Sequence, residues 1–494
     1  MAIFGNDHRL VIVGAGFCGA TIAYKAASEL DLPVLVLDRR AHVGGNSYSK
    51  FDDETGIEYH QYGSHLFHAS NEAVWKFITQ FSSFNNYRHR VFSRHRGKTY
   101  TIPINLMTIN QFFGTDFDPA GARAFIAQQA AAENIETPRN FEEKAISQIG
   151  RPLYEAFIRG YTAKQWETDP AALPAEIISR LPVRFGFNDF YFADLYEGLP
   201  TAGYSAIFEK MLGHPKIKVA TGCDYFDMRE TIDPQILSVY TGPLDRCFDY
   251  KFGELGWRTL EFEIERMDVD DFQGAAVVNY ADIDVPFTRI HEFKHLHPER
   301  RYGSKTLIMR EYSRFARRAD EPYYPIGRQD DKRRYSQYKK LAEAETNVIF
   351  AGRLGTYRYL DMHQAIGAAL NLYKKRVAPL LTGRCVRSDG PERTTFRGRA
   401  VRRWCPRKMP ASTRSWSGAP RAIRSISRVH RGIFFSLYPE SAQVFPDSHQ
   451  MAAGIHCSRS PGIGACPDPA AFAGWNSRAS GAKRAGGQGR GVTP

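Results

Sequence analysis

The stretch RLVIVGAGFCGATIAYKAASELDLPVLVLD, residues 9–38, leaves little freedom in how this chain begins to fold. Leu10–Val13 is a continuous apolar run, the pattern of a strand covered on both faces. Residues 17–30 then read as a helix, and a second apolar run ends on Asp38. Between the first strand and the helix stand Gly14, Gly16 and Gly19. Gly14 permits a tight exit from the strand, Gly16 lets backbone approach a pyrophosphate, and Gly19 lets the helix pack on the sheet. A helix start has free N–H groups that favour phosphate. Asp38 is placed to accept a hydrogen bond from a ribose hydroxyl. Together these features predict a βαβ unit that binds a dinucleotide.

The 494-residue length allows two or three domains. Residues from about 105 to 180 are helical in pattern and punctuated by Pro and Gly. Short alternating segments dominate from about 217 to 310 and suggest antiparallel strands. A buried strand returns at 347–352 and a helix at 362–378. The expected class is α/β: a discontinuous Rossmann-like domain carrying a helical insert domain and an antiparallel β-sheet domain. The boundaries predicted are 1–84, 181–235 and 344–383 for the dinucleotide-binding parts (the second shared with sheet), 85–180 for the helices and 236–343 for the sheet domain.

Charge separates the body from the tail. The formal net charge is +13, yet residues from Arg384 onward hold 17 Arg and two Lys against five acids, leaving 47 basic and 48 acidic residues before them. The body therefore has no basic bias that would mark a nucleic-acid-binding core. The tail reads in three ways: a basic arm for RNA or acidic membranes, a disordered segment, or translation in a shifted frame, which fits its excess of Arg over Lys. The last two are the readings adopted for 384–494. The seven cysteines form no CxxC, which fits a reducing compartment. No apolar run is long enough to span a bilayer, and no signal peptide is apparent. A cytoplasmic protein is expected.

Gly44-Gly45 follow closely on Asp38, as in FAD-binding proteins of the glutathione-reductase-like group. The segment IFAGRLGTYRYLDMHQAIGAALN (349–371) crowds Arg353, Tyr357, Arg358, Tyr359 and Asp361 onto one connection. Guanidiniums and phenols so packed suggest a flat or anionic ligand. With YGSHLFH (62–68), GYTAKQWETDP (160–170), ISRLPVRFGFNDFYF (178–192) and EPYYPI (321–326), this segment resembles the UDP-galactopyranose mutase family, bacterial type, over about residues 8–380.

That resemblance implies an FAD-dependent isomerase interconverting UDP-galactopyranose and UDP-galactofuranose through a reduced-flavin N5–sugar adduct. NADPH or NADH is implied as reductant, a homodimer as the assembly, and galactofuranose-containing cell-surface glycans as the destination. Arg180 and Arg289 resemble the arginines gripping the diphosphate, the task that suits a guanidinium fork. Phe157, Tyr161 and Trp166 resemble the uridine wall and by spacing can share a helix face, although core packing explains such spacing equally well. Tyr191, Tyr323 or Tyr324, and Tyr359 resemble hydrogen-bond donors to the diphosphate. His68, Arg353 and Asp361 are implied near the flavin and sugar. The cofactor-facing set is Gly14, Gly16, Phe17, Gly19, Asp38, Arg39, Gly45, Asn46, His65, Val219, Gly352, Arg353, Tyr359, Asp361 and Met362. His65 and His68 lack Cys or carboxylate partners in sequence, so no metal site is expected. The competing readings are a flavin amine oxidase-like oxidoreductase and an inactive mutase-like binding protein.

Overall fold

A computed structural model describes residues 8–178 and 183–383. The basic tail and Arg180 lie outside the described residues. Five parallel strands form the first sheet, in the order Val348–Phe350, Leu237–Tyr240, Leu10–Val13, Val34–Leu37, Ile217–Ala220. The strand Leu10–Val13 is central. From it the chain runs first to one side and later returns to the other, which creates a switch point where the crevice beyond the strand ends can hold a ligand. Leu10, Ile12, Val34 and Val36 face the main core, whereas Val11, Val13, Leu35 and Leu37 pack with Tyr240 on the opposite face. Burial on both faces explains why these strands are apolar throughout rather than alternating.

The turn after the central strand follows the glycine logic closely. Gly14 has φ +103°, and a side chain there would meet Thr241 Oγ1 at 2.1 Å. A Cβ on Gly19 would lie 1.9 Å from the Gly14 carbonyl oxygen. Helix Phe17–Leu30 can thus sit directly against the strand that precedes it.

A seven-stranded sheet forms the second layer, in the order Tyr324–Pro325, Trp257–Met267, Thr306–Phe315, Arg289–Glu292, Val277–Tyr280, Val91–His95, Lys98–Ile102. All its pairings are antiparallel except Val277–Tyr280 with Val91–His95. Two domain boundaries need correction. Strands Val91–His95 and Lys98–Ile102 fall inside the segment expected to be helical from residue 85, yet they form a hairpin on this sheet. Arg96 (φ 46°) and Gly97 (φ 77°) make its tight turn, the left-handed pair that two-residue hairpins require. The helical insert therefore starts near Leu106, where Asn105 accepts a hydrogen bond from the Thr108 N–H. Likewise Leu237–Tyr240, expected in the antiparallel domain, belongs beside Leu10–Val13 in the parallel sheet. Four residues buried on both faces carry no period that distinguishes the two sheets.

Beyond Asn105, Asp118 and Asn140 cap the helices Pro119–Ala131 and Phe141–Ile149. Among the described residues no helix is long and apolar enough to cross a membrane. Gly19→Ala is expected to destabilise the fold by about 1–3 kcal/mol, the usual cost of overpacking, because the atom it would strike is backbone. Thermal unfolding against the parent protein checks this.

Candidate active site

The first cavity opens at the switch point, around the start of helix Phe17–Leu30. Gly14, Gly16, Phe17, Gly19, Asp38, Arg39, Gly45, Asn46 and Gly352 all line it. No side chain caps this helix, so its first N–H groups remain open to an anion. A Cβ on Gly16 would find nothing nearer than Gly45 Cα at 3.8 Å. That position is free of the protein itself, and the space is what a pyrophosphate would occupy. Asp38 accepts hydrogen bonds from the N–H groups of Ala15 (2.8 Å) and Arg40 (2.9 Å), which fixes its carboxylate at the cavity wall. Arg40 donates to Asn46 and Glu321, both at 2.8 Å, while its buried Nη1 has no protein partner. A buried guanidinium N–H left open beside a glycine-lined crevice fits a phosphate-bearing cofactor.

A second cavity adjoins the first. His65, Arg353 and Met362 line both. Met362 begins the helix Met362–Leu372, and Asp361 immediately precedes it. Tyr359 donates to Asp361 Oδ1 at 2.9 Å. Arg353 is braced by the carbonyls of Tyr323 (3.2 Å) and Leu360 (2.6 Å), and its guanidinium lies over the rings of Tyr359 and Tyr324. It holds these phenols in place while carrying positive charge into the junction. Tyr357, from the same crowded segment, instead donates to the Gly256 carbonyl and packs on Trp257, a structural role.

Across this cavity Arg289 donates to the Tyr161 hydroxyl and pairs with Glu311 at 3.3 Å. Glu311 is almost fully buried. Burial would raise its pKa, but the Arg289 charge and the hydrogen bond from His291 hold it down to about 2. The Nε2–H of His291 donates to Glu311 at 3.1 Å, and its Nδ1 accepts from Ser64 at 2.7 Å. Burial raises the phenols of Tyr161, Tyr324 (to about 12) and Tyr359, so they remain hydrogen-bond donors at neutral pH. Burial also pushes His65 down to about 4, leaving a neutral ring at the junction. His68 donates to Asp194 at 2.6 Å and stacks on Phe192. The cavity thus gathers guanidiniums and protonated phenols, groups able to donate hydrogen bonds to an anion, beside the Glu311 and Asp361 carboxylates.

The structure brings together Tyr161, Tyr191, Arg289, Tyr323, Tyr324, His68, Tyr359 and Asp361 in the second cavity. Three expected residues stand elsewhere. Phe157 is buried against Tyr100 and Phe112 in the insert core. Trp166 lines a separate cavity with Pro325 and Tyr357. Trp166 follows Tyr161 by five residues within helix Gly160–Trp166, about 140° round the axis, so these two do not share a face. Val219 lines neither cavity: it pairs with Val36 and packs on the helix-covered core. Arg40, His89, Asp194, Asn279 and Glu311 belong to the site without having been read from the sequence. Only Glu311 left a trace, as a carboxylate in alternation with the apolar Leu307 and Met309.

A fold of this kind, with a glycine-lined dinucleotide crevice adjoining an arginine–tyrosine cavity, defines a cofactor-dependent enzyme of anionic substrates. Residues 156–359 match the UDP-galactopyranose mutase family, and residues 12–81 match an NAD(P)-binding Rossmann-like domain. A probable UDP-galactopyranose mutase of Klebsiella pneumoniae is 44% identical over 366 residues, covering 74% of this chain and 94% of the relative. A dTDP-fucopyranose mutase of Escherichia coli is 40% identical over 370 residues, covering 74% and 97%. The backbone is similar to a crystal structure of reduced UDP-galactopyranose mutase, with a TM-score of 0.58 over 75% of this chain and 94% of that one at 16% identity. The chain belongs to the UDP-galactopyranose mutase family.

Glu311 gives the site an acid limit. Its folded pKa lies below the ordinary value of 4.5, so its contribution is present above pH 4.5 and lost as pH falls toward 2. Glu311→Gln is expected to unfold more easily at pH 7, by on the order of 1–3 kcal/mol, and to lose less stability than the parent between pH 4.5 and 2. Denaturant titrations at both pH values measure the difference.

Proposed function

We propose that this chain interconverts UDP-galactopyranose and UDP-galactofuranose with FAD as cofactor, active when reduced by NADPH or NADH. The observation that carries the reading is that the two cavities share His65, Arg353 and Met362 in their walls. A nucleotide sugar held by Arg289 in the second cavity would present its sugar to the reactive end of a cofactor held in the first. The glycine cradle, the open helix start and the unpartnered Arg40 N–H support FAD in that first cavity.

When bound and reduced, FAD supplies a nucleophilic nitrogen able to replace UDP at the anomeric carbon. Everything else falls to the chain's own residues. Arg289 would donate to the diphosphate oxygens and carry their growing charge as the glycosidic C–O bond breaks. Arg180 is assigned as the second guanidinium on the same group. Tyr161 and Tyr324, protonated at neutral pH, would donate hydrogen bonds that retain UDP for its return to the anomeric carbon, and Tyr359 would join them by turning its O–H from Asp361 to the diphosphate. Glu311 holds Arg289 in place; it keeps the cavity from carrying an uncompensated charge before substrate arrives. The neutral His65 adds no further charge at the junction. In this reading the enzyme works in the cytoplasm as a homodimer and its product supplies galactofuranose to cell-surface glycans.

The relative from Escherichia coli supports a second reading, in which dTDP-fucopyranose is the substrate. Anaerobic incubation of the full chain with each nucleotide sugar, with and without dithionite, separates the two. Conversion of UDP-galactofuranose to UDP-galactopyranose only after reduction is the expected result. Exclusive turnover of the dTDP-sugar would replace this reading with the second, and stoichiometric consumption of oxygen would replace both with an oxidase. Arg289→Ala is expected to stay yellow while kcat/KM falls about 100-fold or more. Gly16→Val is expected to fold but purify colourless, because its side chain enters the pyrophosphate space. An absorbance spectrum of each variant checks cofactor content.

A further inference from the structure

We infer that Lys164 is a positioning residue for the substrate cavity: its ammonium locks the helix bearing Tyr161 to the loop that delivers Arg289. The inference rests on the mutase reading for its functional meaning. Lys164 Nζ lies within hydrogen-bond distance of four main-chain carbonyls, those of Tyr280 (2.6 Å), Asp282 (2.9 Å), Val285 (2.9 Å) and Phe287 (2.9 Å). An ammonium has three protons, so the four oxygens share them. Tyr280 ends strand Val277–Tyr280, and the other three lie on its connection to strand Arg289–Glu292. Arg289 follows Phe287 by two residues. Tyr161, whose hydroxyl accepts from Arg289, precedes Lys164 by one helical turn.

The same helix face carries a second adaptation. A Cβ on Gly160 would lie 2.2 Å from the Ala281 carbonyl oxygen. Gly160 and Lys164, four residues apart, therefore meet the loop together. On its other flank the loop is tied down through Asp282, which accepts from the Arg96 N–H at 2.8 Å and from His95. Held there, its carbonyls turn inward with Lys164 as their shared donor. Removing the ammonium leaves converging oxygens without that donor, a state that costs free energy and favours a rearranged loop. The loop's end sets where Arg289 begins its strand, so rearrangement would separate Arg289 from Tyr161. The cage atoms are carbonyl dipoles, the Asp282 and Asp284 carboxylates nearby add attraction for a cation, and a small primary amine carries the right charge and donors to refill it.

The test uses reduced full-length holoenzyme carrying Lys164→Ala. Because Arg289 both binds the diphosphate and carries its growing charge, kcat/KM for UDP-galactopyranose is expected to fall at least tenfold, through a raised KM together with a lowered kcat. Flavin content and its reduction by dithionite should match the parent. Ethylammonium should restore kcat/KM, whereas tetramethylammonium, equal in charge but without N–H donors, should not. Lys164→Arg keeps the charge and the donors but not the size, so it should fold and still lower kcat/KM if Lys164→Ala does not fold. A folded variant with kcat/KM within twofold of the parent would overturn the inference, as would a loss confined to kcat or restoration by tetramethylammonium. Hydrogen exchange of the 281–288 amides is read in parallel, because it needs no turnover. Faster exchange in Lys164→Ala, slowed by ethylammonium, is expected even if the parent proves inactive on UDP-galactopyranose; unchanged exchange would overturn the cage itself.

Discussion

The contact between Gly19 and the Gly14 carbonyl is the constraint on which the rest of this structure depends. Only a residue without Cβ allows helix Phe17–Leu30 to lie against the end of its own strand. That approach sets the helix start beside Gly16 and Gly45, with its N–H groups open. Strands Leu237–Tyr240 and Val348–Phe350 then add on the far side of Leu10–Val13, and Thr241 closes over Gly14. The crevice is a consequence of this geometry, and the second cavity adjoins it because Arg353 and Met362, following the last strand, line both.

Charge in the second cavity is arranged so that it is tolerable before a ligand arrives. Arg289 borders the buried Glu311, which is held ionised by that guanidinium and by His291. The chain of contacts continues through His291 to Ser64, beside His65 at the cofactor junction. One ion pair followed by two hydrogen bonds thus joins the residue expected to meet diphosphate to the loop expected to meet the cofactor. Such a path fixes relative position; a buried ion pair of this kind is better understood as a source of specificity than of net stability. The Lys164 cage supports the same arginine from the opposite side, through the backbone.

Particular residues show how far the sequence could be read. The glycines, Asp38 and the tyrosines of the 349–371 segment were legible because each depends on local chain geometry or on a dense local pattern. Phe157 and Trp166 were not, because helical spacing does not say what each ring meets: Phe157 packs on Tyr100 and Phe112, and Trp166 lines a cavity with Pro325 and Tyr357. Arg39 and Arg40 are adjacent beyond a strand end, where no period says which one turns inward; the structure buries Arg40 and leaves Arg39 more exposed. Val219 has the composition of any edge-strand residue, and only its register with Val36 assigns it to the core.

The sequence by itself determined the dinucleotide crevice, the α/β class and the family, since these are carried by residues close together in the chain. It also separated a near-neutral body from a basic tail. Tertiary structure alone decided that Leu237–Tyr240 joins the parallel sheet, that Val91–Ile102 extends the other one, and that Glu311, His291 and Ser64 line up behind Arg289. The physical reason is distance along the chain. Pairings between residues 64, 161, 289 and 311 leave no periodic signal in any window, because strand order and burial bring them together rather than local spacing.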